Sequence, residues 1–136
     1  MRRLVMACAA LTAAAWVATP TTQVFAHAGL QASVPAANSV LDSAPPEILL
    51  DFDEAIEPSL ASIHLYSGYG LEVPIGDPRA GSDSTVVSAK IPSLGDGLYA
   101  VIWRVASVDG HVVDGAFSFQ IGDGNDRGGA ALIAAV

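Results

Sequence analysis

Residues 97–122 read GLYAVIWRVASVDGHVVDGAFSFQIG, two apolar runs of different pattern with a polar interruption between them. Gly97 to Val105 carries Leu98, Tyr99, Val101, Ile102, Trp103 and Val105, the β-branched and aromatic types that fit a pleated surface. They fall on both faces until Arg104, which is the pattern of a central strand covered on both sides. Gly115 to Gly122 alternates instead. Phe117, Phe119 and Ile121 share one face while Ser118 and Gln120 take the other, the period-2 signature of a half-buried strand.

Outward from this pair, the same rhythm recurs. Glu47 to Asp53 places Ile48, Leu50 and Phe52 on one side and Glu47, Asp51 and Asp53 on the other. Ala61 to Ser67, Leu71 to Ile75 and Ser84 to Ile91 read similarly, punctuated by Gly68, Gly70, Gly76-Asp77-Pro78 and Pro92. No segment after residue 26 combines a helical period with caps. Short strands at intervals of about 8–12 residues predict an all-β antiparallel sandwich or Greek-key barrel.

The amino-terminal segment reads as an export signal. Arg2 and Arg3 form a positive start, Leu4 to Ala18 is apolar apart from Thr12, and Pro20 to Gln23 is a polar approach to small residues. In Val24-Phe25-Ala26-His27-Ala28-Gly29-Leu30 a cut can follow Ala26 or Ala28. The first leaves a chain beginning at His27; the second discards that histidine. The expected organisation is a cleaved signal over residues 1–26, one β-domain over 27–122 and a tail over 123–136. The Asp123-Gly124-Asn125-Asp126 cluster in that tail lacks the spacing and closing glutamate of an EF-hand, and reads as solvated chain.

All 14 acidic residues lie beyond the signal, against four basic ones, Arg79, Lys90, Arg104 and Arg127. Nucleic acid is therefore not an expected partner. The single cysteine, Cys8, and both methionines, Met1 and Met6, belong to the signal. The domain thus has no disulfide, thiolate or thioether to offer.

Three histidines remain as donors: His27, His64 and His111. Asp109-Gly110-His111 sets a carboxylate and an imidazole two residues apart. Extended backbone would project both to one side, where they can share an ion; the competing reading is an ordinary turn at Asp109-Gly110. A His27 at the chain start adds its α-amine and ring Nδ1, a six-membered chelate. Such a nitrogen and oxygen set without sulfur suits Cu(II), while zinc and nickel can use the same donors. His64, opposite Ile63 and Leu65, reads as a surface residue of a strand. Asp51, Asp53, Glu54 and Glu57 read as a solvated acidic face, Trp103 as core, Arg104 as a partner for a carboxylate near the site, and Asp114 as a solvated loop residue or an acceptor that orients an imidazole.

On these residues the chain resembles the CopC family of exported copper-binding, copper-resistance proteins. His27-Ala28-Gly29-Leu30, Ser33-Val34-Pro35-Ala36, Pro46 to Phe52, and above all Gly97 to Phe119 carry the resemblance. The last block looks like the family pattern G-x-Y-x-V-x-W-R-x-x-S-x-D-G-H-x-x-x-G-x-F-x-F. The resemblance implies a cupredoxin-like or immunoglobulin-like Greek-key β-sandwich or barrel of seven to nine strands. It further implies a periplasmic or other extracytoplasmic location, cleavage after Ala26, and one Cu(II) per chain held by His27, Asp109 and His111. It also makes a copper-transporting inner-membrane protein a plausible partner. The absence of methionine departs from the Cu(I)-binding loop of founding members and suggests a Cu(II)-only type.

The expected role is a monomeric carrier or buffer rather than an enzyme, with no polysaccharide as partner. Two alternatives stay open at this level: a mono-oxygenase-like enzyme built on a histidine brace, and a metal-free structural sandwich should His27 leave with the signal.

Overall fold

The computed structural model describes residues 28–123; the proposed signal, His27 and the tail from Gly124 onward lie outside the described residues. Nine strands and one turn of 3₁₀ helix follow in chain order. They are β1 (Leu30–Val34), β2 (Val40–Leu41), β3 (Glu47–Phe52), the helical turn (Pro58–Leu60), β4 (Ser62–Ser67), β5 (Glu72–Val73), β6 (Arg79–Ala80), β7 (Val86–Lys90), β8 (Gly97–Ala106) and β9 (Val112–Ile121). They form a four-stranded sheet, order β1-β3-β7-β6, and a five-stranded sheet, order β2-β9-β8-β4-β5. The molecule is the all-β sandwich that the alternation predicts, with β8 at the centre of the larger sheet. One pairing departs from the antiparallel expectation: Val40 and Leu41 of β2 run parallel to Gln120 and Ile121 of β9.

Strand boundaries differ from the expected ones where side chains are small or polar. β1, β2 and β6 have no clear apolar alternation. β1 is an edge strand with a register shift between Leu30 and Ala32, and β6 is two exposed residues. β9 begins at Val112, three residues before Gly115, because that glycine is a packing feature and not a stop. It pairs with Trp103, and a Cβ there would lie 2.5 Å from the indole Cζ2. The missing side chain is the space the indole occupies.

The core lies between the sheets. Ile48, Leu50 and Phe52 from β3 face Leu65, Val101, Val105, Phe117 and Phe119, all buried. Phe52 meets Trp103 edge-on at 5.2 Å between ring centroids, and Tyr99 stacks on Phe119 at 5.6 Å. Both lie in the range favoured by ring quadrupoles. The Tyr99 hydroxyl donates to the Gly95 carbonyl at 3.0 Å, so its polar end is satisfied. Full burial of each such side chain contributes about 1.5–3 kcal/mol. With no disulfide available, packing holds the domain.

One stretch of chain leaving β3 organises an end of the sandwich. Asp53 accepts the Gly29 amide at 2.6 Å and donates its own N–H to the Gly29 carbonyl at 3.0 Å. Ala28 is buried in the core. Two residues further on, the Ala55 carbonyl accepts the Val108 N–H at 2.9 Å, and Glu57 donates to Ala106 at 2.9 Å. Ile56 bridges Ser107. The start of β1 and the β8–β9 turn are therefore both fastened to residues 53–57.

Candidate metal centre

The β8–β9 connection is a tight hairpin turn. Val112 pairs with Ala106, the Ser107 N–H donates to the His111 carbonyl at 2.8 Å, and the Gly110 N–H donates to Ser107 at 2.9 Å. Gly110 adopts φ +94°, a conformation that a side chain would strain. Of the two backbones the sequence leaves open for Asp109 to His111, the extended one is not adopted. The competing turn is what forms, and the turn itself brings the two side chains together.

Their geometry is specific. His111 Nδ1 lies 2.8 Å from Asp109 Oδ2. The other carboxylate oxygen, Oδ1, accepts the His111 backbone N–H at 3.2 Å and the Ser107 hydroxyl. The hydrogen bonds from Ser107 and then from His111 hold the Asp109 carboxyl well down, at about 2 against an ordinary 3.8. An ionised carboxylate only accepts, so in the metal-free protein the shared proton sits on Nδ1. Both side chains stay open to water, 49% exposed for Asp109 and 59% for His111.

The separation of the pair is also one that two donors to a single metal could adopt. Two donors at adjacent corners of a square-planar ion with bonds of about 2.0 Å stand about 2.8 Å apart, the separation found between Nδ1 and Oδ2. Among the described residues no group of three or more His, Cys, Asp or Glu gathers around one point. The turn brings together two candidate donors, and any further donor must come from elsewhere. His27, the expected third residue, lies outside the described residues.

The remaining expectations divide. His64 is a half-exposed surface residue of β4 as read, yet it is not idle: its Nδ1 lies 2.7 Å from Glu72 Oε1. Trp103 is core. Asp114 is an exposed residue of β9 and not of a loop, and it stands across the ladder from Arg104. Arg104 makes no ion pair among the described residues, where the salt bridges are His64–Glu72, Arg79–Glu47 and His111–Asp109. The acidic face is not merely solvated: Asp53 tethers Gly29, Asp51 accepts the Thr85 hydroxyl at 2.8 Å, and Glu57 caps the helical turn through Ser59.

Ser107, which the sequence offers as a hydrogen-bond partner of the ligand loop and not as a nucleophile, does bond that loop. It is one of two buried polar residues among those described, and its place two residues before Asp109 was the available signal. Its hydroxyl donates to the carboxylate and not to the imidazole, so it is not the nucleophile of a Ser-His pair.

The description CopC domain matches residues 30–122. This chain belongs to the CopC family. Among CopC relatives, it is 37% identical over 105 residues to "Copper resistance protein C" of Xanthomonas campestris pv. juglandis, covering 71% of this chain and 81% of that one. It is 33% identical over 100 residues to "Copper transport protein CutJ" of Bacillus subtilis, covering 72% of this chain and 18% of that protein's length. The chain therefore spans under a fifth of that larger relative. Two solved structures share the sandwich. CopC from Methylosinus trichosporium OB3b aligns with TM-score 0.66 and 29% identity over 70% of this chain and 93% of that one. PcoC, a methionine-rich copper resistance protein from Escherichia coli, aligns with TM-score 0.66 and 27% identity over 71% and 100%. Among the described residues, no helix is long and apolar enough to cross a membrane.

Proposed function

We propose that this CopC protein is an extracytoplasmic Cu(II) carrier. It chelates one ion per chain through the α-amine and ring of His27, Asp109 Oδ2 and His111, for sequestration, resistance or delivery. The observation that carries this reading is the Asp109–His111 pair, at ligand-to-ligand distance on an exposed turn. That turn is fastened to the same residues 53–57 that hold the start of β1. His27 is one residue before buried Ala28, which belongs to the core and so favours a cut after Ala26 over one after Ala28.

Binding replaces the proton between Nδ1 and Oδ2 by the metal, so uptake of copper releases protons and acid reverses it. No turnover is needed. With no methionine beyond the signal, the chain lacks the thioethers that select Cu(I), which supports a Cu(II)-only carrier. The match to a segment of a copper transport protein supports an inner-membrane transport protein as the recipient. The domain is expected to act as a monomer.

Intact mass of the exported protein, before and after one equivalent of Cu(II) under non-denaturing conditions, tests the reading. A chain beginning at His27 and retaining one copper is expected. A chain beginning at Gly29, or one beginning at His27 that ignores copper, overturns it.

A further inference from the structure

We propose that Ser107 is a positioning residue of the copper site: its hydroxyl fixes which oxygen of Asp109 faces the ion. This rests on the carrier reading above and deepens it. Asp109 is exposed and sits in a turn, so its carboxylate has no packing to hold one rotamer. A freely rotating carboxylate offers either oxygen, or both, at a cost in ordering entropy each time it binds. The structure removes that freedom from one side only. Oδ1 is occupied by the Ser107 hydroxyl and the His111 N–H, which leaves Oδ2 toward Nδ1.

Ser107 is itself immobilised. It is 3% exposed, its N–H is bonded to the His111 carbonyl, and it bridges Ile56. The hydroxyl thus ties the exposed ligand to the sheet through a residue that cannot swing away. Groups that orient a metal ligand in this way typically change metal affinity by about 10–100-fold when removed. The backbone bonds of Ser107 do not depend on its side chain, so Ser107→Ala removes the clamp while leaving the turn.

The test uses Cu(II) with the mature chain. Affinity is measured by competition with a chelator, and the Cu(II) electron paramagnetic resonance spectrum reports the equatorial donors. The wild type, Ser107→Ala, Ser107→Thr, Asp109→Ala and the Ser107→Ala/Asp109→Ala double variant are compared, with urea unfolding of each apo protein alongside. Ser107→Ala is expected to bind about 10–100-fold more weakly, with shifted parallel hyperfine splitting and a modest fall in the apo midpoint, from the lost bond to the Asp109 carboxylate, that is too small to account for the loss of affinity. Ser107→Thr, which keeps the hydroxyl, restores both. In the Asp109→Ala background, Ser107→Ala costs nothing further, because its effect passes through that carboxylate.

Wild-type affinity and spectrum in Ser107→Ala, beside weakened binding in Asp109→Ala, overturns the inference and leaves the carrier reading intact. So does a loss in Ser107→Ala that tracks apo destabilisation and persists in Ser107→Thr, since Ser107 is then only structural. A wild type that holds no copper overturns both.

Discussion

β8 and β9 have two regions under different physical rules. Between the sheets, Tyr99, Trp103, Phe117 and Phe119 are held by volume and shape. At the turn, Ser107, Asp109 and His111 are held by a few directed hydrogen bonds around one carboxylate. A packed interior punishes any change of volume and has no use for charge. A turn fastened from beneath can expose charged donors at little cost in stability. The two regions should therefore be separable: core substitutions act on unfolding, and turn substitutions act on copper.

The largest expected effect is in the core. Phe119→Ala empties a site that is 1% exposed and should cost about 3–5 kcal/mol of stability, read by urea unfolding of the apo protein. Copper stoichiometry of the folded fraction should not change; a folded variant that had lost copper would break the separation. His111→Ala is the mirror image. It should weaken Cu(II) by at least 100-fold, about 2.7 kcal/mol, while the apo unfolding midpoint stays close to wild type.

Gly115→Ala sharpens the contrast, since it lies four residues from His111 yet belongs to the core by its contact with Trp103. Overpacking of this kind costs about 1–3 kcal/mol, and the same titration should find copper affinity intact. Asp53→Ala tests the fastening between the regions. Loss of the bond to the Gly29 amide should cost about 0.5–1.5 kcal/mol and also weaken copper binding, because the start of β1 is released.

The smallest effect is in acid. Asp109 has its carboxyl lowered from 3.8 to about 2 in the folded chain. The folded state thus favours the ionised form, so this contribution to stability is present above about pH 4 and is lost as pH falls toward 2. Asp109→Asn should flatten the apo stability profile in that window, because it removes the contribution that the wild type has above about pH 4. Copper lost between pH 7 and pH 5 is then due to protonation of nitrogen donors, because Asp109 stays ionised throughout.

The alternating strands, β3, β4, β7 and most of β9, were legible because burying one face of a sheet demands a period of two, and β8 because a central strand is apolar on both faces. β1, β2 and β6 were not, since edge strands with exposed side chains are chosen by neighbours and not by their own pattern. The Asp109-Gly110-His111 spacing pointed to a carboxylate and an imidazole side by side, and of the two backbones it left open, a turn and not extended chain brings them together. Asp53 was read as solvated because nothing local indicates that a carboxylate will meet an amide 24 residues away.

Composition and order of residues by themselves determined the all-β class, the acidic surface, the lack of sulfur donors after residue 8, and the donor types near the turn. Each is a property of residues within a few positions of one another. Only the tertiary structure decided that Ser107 is buried beneath Asp109, that Gly115 makes room for Trp103, and that residues 53–57 tie the start of β1 to the β8–β9 turn. Those relations join distant parts of the chain, and they exist only once two sheets have closed on a common core.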